Sequence, residues 1–282
     1  MCILITGSSG FIGTNLINFL KEKKINFVDL DLENSTIKHD ITKNFLLNKK
    51  LETLNPKTII HFAAISRIKT CLSNTDKTFE VNIKGTKNVL EYALEKKAKV
   101  IFASSYTCHG NYFLNPYTFS KYLGEELCIY YNQYYGLKIN ILRLFNIYGI
   151  GQKKTGNAAN LVGIFENNKE NNLPFEIYGD GKNKKHFIHI NDVCEGIFKL
   201  MKKDFNFETF NFGESKKYSI KKISSLFKAN RIIYLPKSKH DIDVANINME
   251  ETYEKLNWKP RINLDNYINL FVKNLNFKNG SN

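Results

Sequence analysis

Residues 2–13 read CILITGSSGFIG, an apolar run that gives way to glycines at positions 7, 10 and 13. Cys2–Thr6 has the composition of a buried strand, and a helical pattern begins near Phe11. Glycines between a strand and a helix permit a tight turn. They also let a pyrophosphate approach the backbone at the positive end of the helix. Glycine spacing alone is a weak signal, because ordinary strand–helix turns use glycine too. Here strand, loop, helix and second strand follow in order, so residues 7–13 are expected to cradle a dinucleotide.

The pattern continues outward from this loop. Apolar strands are predicted at 26–32, 58–64, 99–105 and 138–145. Helical patterns start near Lys43, cross Ser73–Lys97 and run from Pro116 to Tyr135. Alternation of this kind predicts an α/β fold with a doubly wound parallel sheet. Asp31 closes the second strand, eighteen residues after Gly13. A carboxylate there accepts both ribose hydroxyls of an adenosine and repels a 2′-phosphate, which favours NAD over NADP. After NIYG (146–149) the pattern loosens into polar and glycine-rich stretches such as ENNKENN and YGDGKNKKH, with the tail NLNFKNGSN expected to fray. The expected division is a dinucleotide-binding domain at 1–155, joined again by 187–213, and a smaller C-terminal substrate lobe within 156–282.

Composition narrows the partners. The formal charge is +14, yet only Arg67, Arg143, Arg231 and Arg261 are arginines. The lysines are scattered in small groups, unlike the clustered, arginine-rich surface that grips nucleic acid. No apolar run reaches the roughly 18 residues of a membrane helix, and no secretory leader pattern precedes the first strand. The five cysteines show neither CxxC spacing nor histidine partners. Reduced thiols in a cytoplasm are therefore expected, with no metal site.

NPYTFSK (115–121) places Tyr117 four residues before Lys121, one turn apart on a helix face. Ser105 ends the preceding strand. Taken with GSSGFIG, HDI (39–41), HFAA (61–64), NIKGTKNVLE (82–91), ASS (103–105), LRLFNIYG (142–149), FIHINDV (187–193) and LNWKP (256–260), the chain resembles the extended short-chain dehydrogenase/reductases. More narrowly, it is similar to the NAD-dependent epimerase/dehydratase family acting on nucleotide sugars, whose sheet is of Rossmann type.

The resemblance implies a role for each matching residue. Gly7, Gly10, Phe11, Ile12, Gly13 and Asp31 would hold the adenosine diphosphate, with Asp40 and Ile41 flanking the adenine. Phe62, Ala63, Ala64 and Asn82 would line the rest of the NAD site. Ser105, Tyr117 and Lys121 would be the catalytic group, with Tyr117 and Lys121 also touching the cofactor. Asn146 would face the substrate's phosphates, and a homodimer is implied. In that reading Lys121 and the positive nicotinamide lower the Tyr117 phenol from near 10 to about 7, so that Tyr117 removes a hydroxyl proton while hydride leaves for NAD. Ser105 would hydrogen-bond the developing carbonyl.

Four departures from the family pattern bear on the reaction. The segment between Ser105 and Tyr117 is short, where typical members carry a longer loop over the substrate. His109 stands in place of a tyrosine. Tyr106 and Thr107 replace the Asp-Glu pair of the sugar dehydratases, which argues against elimination of water. Lys185 takes the place of an arginine on the substrate diphosphate, and the similar region downstream reads PKSKHD (236–241). The expected activity is hydride transfer at C4 of a nucleotide-linked sugar by a C4 epimerase. The alternatives are a 4-keto-sugar reductase and, more remotely, a non-catalytic dinucleotide sensor. His61 and His189 are expected to be structural.

Overall fold

The computed structural model describes residues 2–237 and 247–279. The chain divides into two compact units, Met1–Leu144 with Ile197–Asn211 and Phe145–Gly196 with Phe212–Asn282. In order, the elements are β1 (Ile3–Thr6), α1 (Phe11–Glu22), β2 (Phe27–Asp31), β3 (Ile37–Lys38), α2 (Lys49–Thr53), β4 (Thr58–His61), α3 (Ile68–Ser73), α4 (Thr75–Phe79) and α5 (Gly85–Glu95). Then follow β5 (Lys99–Ser105), α6 (Pro116–Tyr135), β6 (Ile139–Leu144), β7 (Asn146–Tyr148), α7 (Leu161–Glu170), β8 (Phe175–Tyr178), β9 (Lys184–His189) and α8 (Ile190–Met201). The remainder is β10 (Phe207–Phe212), β11 (Lys217–Ser219), α9 (Ile220–Leu226), β12 (Ile232–Leu235), α10 (Glu250–Leu256) and α11 (Leu264–Asn279).

The first unit holds a seven-stranded sheet of order β10-β6-β5-β4-β1-β2-β3. β1 pairs in parallel with β2 on one side and β4 on the other, and β4–β5 and β5–β6 continue in parallel. Every residue of β1 and β4 is buried, as expected where helices cover both faces of a sheet. This is the doubly wound sheet that the alternating pattern predicts. The strand order reverses between β1 and β4, the crevice where such sheets take their ligands. Leu4, Ile59, Val89, Val100, Phe102 and Ile141 belong to its core.

Three departures from the sequence reading have local causes. The expected helix near Lys43 is a 3-10 turn, Phe45–Leu47, followed by the short α2, each opened by an asparagine cap at Asn44 and Asn48. The Ser73–Lys97 pattern holds α4 and α5, joined by a π-helical turn at Glu80–Lys84. One extra residue in that turn changes which side chains face inward. The tail expected to fray is helical through Asn279.

The second unit contains a three-stranded sheet of order β11-β9-β7 and a β12-β8 pair. Its core joins Tyr148, Phe165, Phe175, Phe187, Tyr218 and Phe227. The polar ENNKENN stretch begins inside α7, whose Val162 and Phe165 are buried and whose first turn is capped by Asn160.

Candidate active site

The glycine loop is shaped by close backbone approach. Gly7 has φ 71°, and a Cβ there would lie 2.5 Å from the Ala63 nitrogen. No other residue type takes that path between β1 and the segment after β4 without displacement. α1 starts at Phe11 after the N-cap Gly10, with no side-chain cap and no acidic residue in its first turn. Its first amides and its dipole are thus directed to an anion rather than to a carboxylate of the chain. Ser8 is 2% exposed, and its Oγ is buried with no partner among the described residues. An orphaned hydroxyl beside first-turn amides fits a diphosphate oxygen.

Asp31 lies where the sequence places it, at the end of β2. Its Oδ2 accepts from Ser9 N at 2.9 Å and its Oδ1 from Leu32 N at 2.8 Å, so it also ties β2 to the loop. Each oxygen keeps a lone pair for a ribose hydroxyl. Burial works against the charge on Asp40, but hydrogen bonds from Thr42 and nearby lysines hold its pKa below the ordinary value. Ile41 is buried in the core. Phe62 and Ala63 are bonded back to Thr6 through Phe62 N to Thr6 O (3.1 Å) and Ala63 N to Thr6 Oγ1 (3.4 Å). Asp31 and the orphaned Ser8 hydroxyl fit the adenosine diphosphate half of NAD.

The second cluster forms where β5 ends and α6 begins. Pro116 opens α6, with the Asn115 side chain accepting from Thr118 N at 2.9 Å. Proline suits the first helical position because its missing N–H would have no partner there. Gly124 lets α6 approach β5, since a Cβ there would lie 2.7 Å from the Phe102 ring. Lys121, 6% exposed, reaches the strand and donates from Nζ to Ala103 O at 2.7 Å. Its ammonium lies 5.1 Å from the Phe102 ring centroid. The Tyr117 phenol shares a hydrogen bond with Ser105. The fold therefore brings Ser105, Tyr117 and Lys121 together at one strand end.

Burial dominates the electrostatics of the protein's own groups. Burial pushes the Tyr117 phenol above its ordinary value, with the Ser105 hydrogen bond acting the other way. Burial lowers Lys121 to about 8. Desolvation disfavours whichever form is charged, so it raises a phenol and lowers an amine together. A Tyr117 near 7 relied on Lys121 and on a positive nicotinamide, and the protein's own groups do not produce it. His61 is lowered to about 3, by burial first and Lys121 second. It bridges Thr6 (Nδ1 to Oγ1, 2.7 Å) and Thr86 (Nε2 to Oγ1, 3.1 Å), a structural role.

Several neighbours make contacts that the sequence does not announce. Asn82, expected beside the cofactor, also acts as a clamp between two segments of the chain. It accepts from Ile65 N (2.8 Å) and donates to Ile65 O (2.8 Å) and Ser120 Oγ (2.9 Å). It sits in the π-helical turn, which turns it inward. Thr107 donates to Ser105 Oγ through its hydroxyl at 3.0 Å and its amide at 3.3 Å. Arg67 couples to Tyr117 through its charge, although burial lowers its own pKa.

His109, the departure from tyrosine, belongs to a chain of polar contacts behind the turn Tyr106–His109. Glu125 takes Arg143 in two bonds, from Nε at 3.0 Å and Nη2 at 2.6 Å. Arg143 Nη1 meets His109 Nδ1 at 3.2 Å, and His109 Nε2 meets Asn211 Oδ1 at 2.7 Å. Arginine can only donate, so Nδ1 accepts and the ring proton lies on Nε2.

In the second unit, Asn146 Nδ2 donates to His186 O at 2.8 Å. Lys185 stands in β9 opposite Tyr218 of β11. Burial lowers His189 to about 4, which accords with a structural histidine. Positions 238–241 of PKSKHD lie outside the described residues.

The description "NAD dependent epimerase/dehydratase family" belongs to a family model that matches residues 3–213, from β1 through β10. The chain is a member of that family. Its cofactor class is accordingly NAD. A Methanocaldococcus jannaschii protein provisionally named UDP-glucose 4-epimerase is 29% identical, covering 96% of this chain and 97% of that one. A UDP-N-acetyl-alpha-D-glucosaminuronate decarboxylase of Bacillus cytotoxicus is also 29% identical, over 83% of each chain. A Thermotoga maritima UDP-glucose 4-epimerase structure with UDP-glucose superposes with TM-score 0.87 at 24% identity, covering 100% of both chains. That likeness shows the epimerase/dehydratase fold. Among the described residues, no helix is long and apolar enough to cross a membrane.

Proposed function

We propose that this protein is a nucleotide-sugar C4 epimerase. The observation that carries the reading is the meeting of Ser105, Tyr117 and Lys121 at the end of β5, with Tyr106 and Thr107 where a dehydratase would hold its acid and base. NAD supplies the hydride acceptor and donor. Tyr117 takes the proton of the sugar's 4-hydroxyl as the C4–H bond breaks, and returns it after the keto sugar has turned over. Ser105 donates to the oxygen as it becomes a carbonyl. Lys121, while protonated, favours the phenolate. The loop glycines with Phe11, Ile12, Asp31, Asp40, Ile41, residues 62–64, Asn82, Tyr117 and Lys121 are assigned to NAD, and Asn146 and Lys185 to the substrate's phosphates, as the family resemblance implies.

The two relatives share one level of identity but have different reaction names, so the reaction is argued from the site. Their names support a UDP-linked sugar. The short segment from Tyr106 to Pro116 favours a second reading, a 4-keto-sugar reductase, because a more open pocket suits exchange of spent cofactor. The two differ in cofactor retention. Denaturing the purified protein and identifying what is released tests them. NAD in near-stoichiometric amount supports the epimerase, and release of NADP, or of no nucleotide, contradicts it.

A further inference from the structure

We infer that Thr107 is a positioning residue that sets the direction in which the Ser105 hydroxyl donates. The inference rests on the catalytic reading above and adds to it a residue that the family motif does not name. Ser105 ends β5 and caps the turn Tyr106–His109. Its Oγ receives the Thr107 amide at 3.3 Å and the Thr107 hydroxyl at 3.0 Å. A serine hydroxyl has two lone pairs and one proton. Both lone pairs are therefore occupied by Thr107, so the Ser105 proton is left to donate elsewhere, and Ser105 stabilises the Tyr117 phenolate.

Burial gives this arrangement its force. Ser105 is 4% and Thr107 3% exposed, so solvent does not compete for either hydroxyl. A β-branched side chain is stiff at χ1, which keeps the Thr107 hydroxyl on Ser105. With that donor in place, the Ser105 proton is already aimed when negative charge develops on the phenol or the sugar oxygen. No reorientation is then needed in the transition state. A dehydratase-type acid at position 107 would offer a different function there. Threonine supplies a donor and no acid.

The test uses Thr107→Val, which keeps the shape and removes the hydroxyl, and Thr107→Ser, which restores it. Turnover of Thr107→Val should fall by about tenfold, the size of one oriented hydrogen bond, with little change in KM. Thr107→Ser should recover most of the loss, and in a Ser105→Ala background Thr107→Val should cost nothing further. A second measurement needs no substrate. In the NAD-loaded protein, the Tyr117 phenolate is followed by ultraviolet difference titration against Tyr117→Phe. Its midpoint should move up in Thr107→Val and return in Thr107→Ser. Equal midpoints in all three proteins would overturn the inference, as would additive losses with Ser105→Ala. Failure of epimerase activity with the expected titration shift would count against the proposed reaction alone.

Discussion

The glycine loop and the turn after Ser105 each carry the chain from a strand toward a helix, and they are built from opposite materials. The loop is backbone. Gly7 passes so near Ala63 that no side chain fits, and α1 begins without a side-chain cap. The turn is side chain. Ser105 caps it, Thr107 bonds back to Ser105, His109 anchors it to Arg143 and Asn211, and Asn115 starts α6. A site for a constant ligand fragment, a pyrophosphate, is served by amides that every sequence possesses. Proton transfer needs an ionisable group in a tuned environment, and only side chains supply that.

Substitutions at the two places should therefore separate chemistry from binding. Tyr117→Phe keeps the ring and removes the proton acceptor, so turnover should fall by roughly 10²-fold or more. NAD affinity, measured by calorimetry, should stay near that of the unmodified protein. Near-normal turnover would place the base elsewhere. Gly7→Ala attacks the backbone half instead. A side chain at φ 71° against Ala63 should destabilise the fold by roughly 1–3 kcal/mol and weaken NAD binding. Urea unfolding and calorimetry read both effects, and unchanged values would show that the loop relaxes freely.

A smaller effect comes from pH. Burial lowers Lys121 to about 8, so its charge is present below that value and lost as pH rises through it. The charge favours phenolate, so kcat/KM should decline several-fold across this window, an estimate from the loss of one nearby charge. The decline should not be unfolding. Between about 8 and 10 the unfolded lysine holds its proton while the folded one has released it, so the contribution of Lys121 to stability rises with pH. Thermal unfolding run alongside the rate profile distinguishes the two. A flat profile with unchanged Tm would remove Lys121 from the account.

The same contrast explains what the sequence disclosed. Glycines at 7, 10 and 13 and the strand–helix alternation are local signals, and the sheet followed from them. The ends of α6 matched, because Pro116, the Asn115 cap and Gly136 mark them locally. The π-helical turn at Glu80–Lys84 was hidden, since its apolar spacing passes for ordinary helix, and with it the clamp from Asn82 to Ser120. In the sequence, Thr107 stands out only as the absence of an acid. Its bond to Ser105 depends on the path of the turn, as the Glu125–Arg143–His109 contacts depend on strand pairing. Burial's upward push on the Tyr117 phenol is not legible either, because charges are visible in a sequence and desolvation is not.

The central claim is that hydride leaves C4 and returns to it within one binding event. The most direct measurement incubates the protein with UDP-glucose and with UDP-N-acetylglucosamine, follows formation of the C4 epimer by chromatography or proton NMR, and monitors NADH absorbance throughout. The account predicts interconversion of the epimers with no net change in that absorbance. NADH consumed stoichiometrically with a 4-keto sugar nucleotide, and no epimer formed from the alcohols, would contradict it.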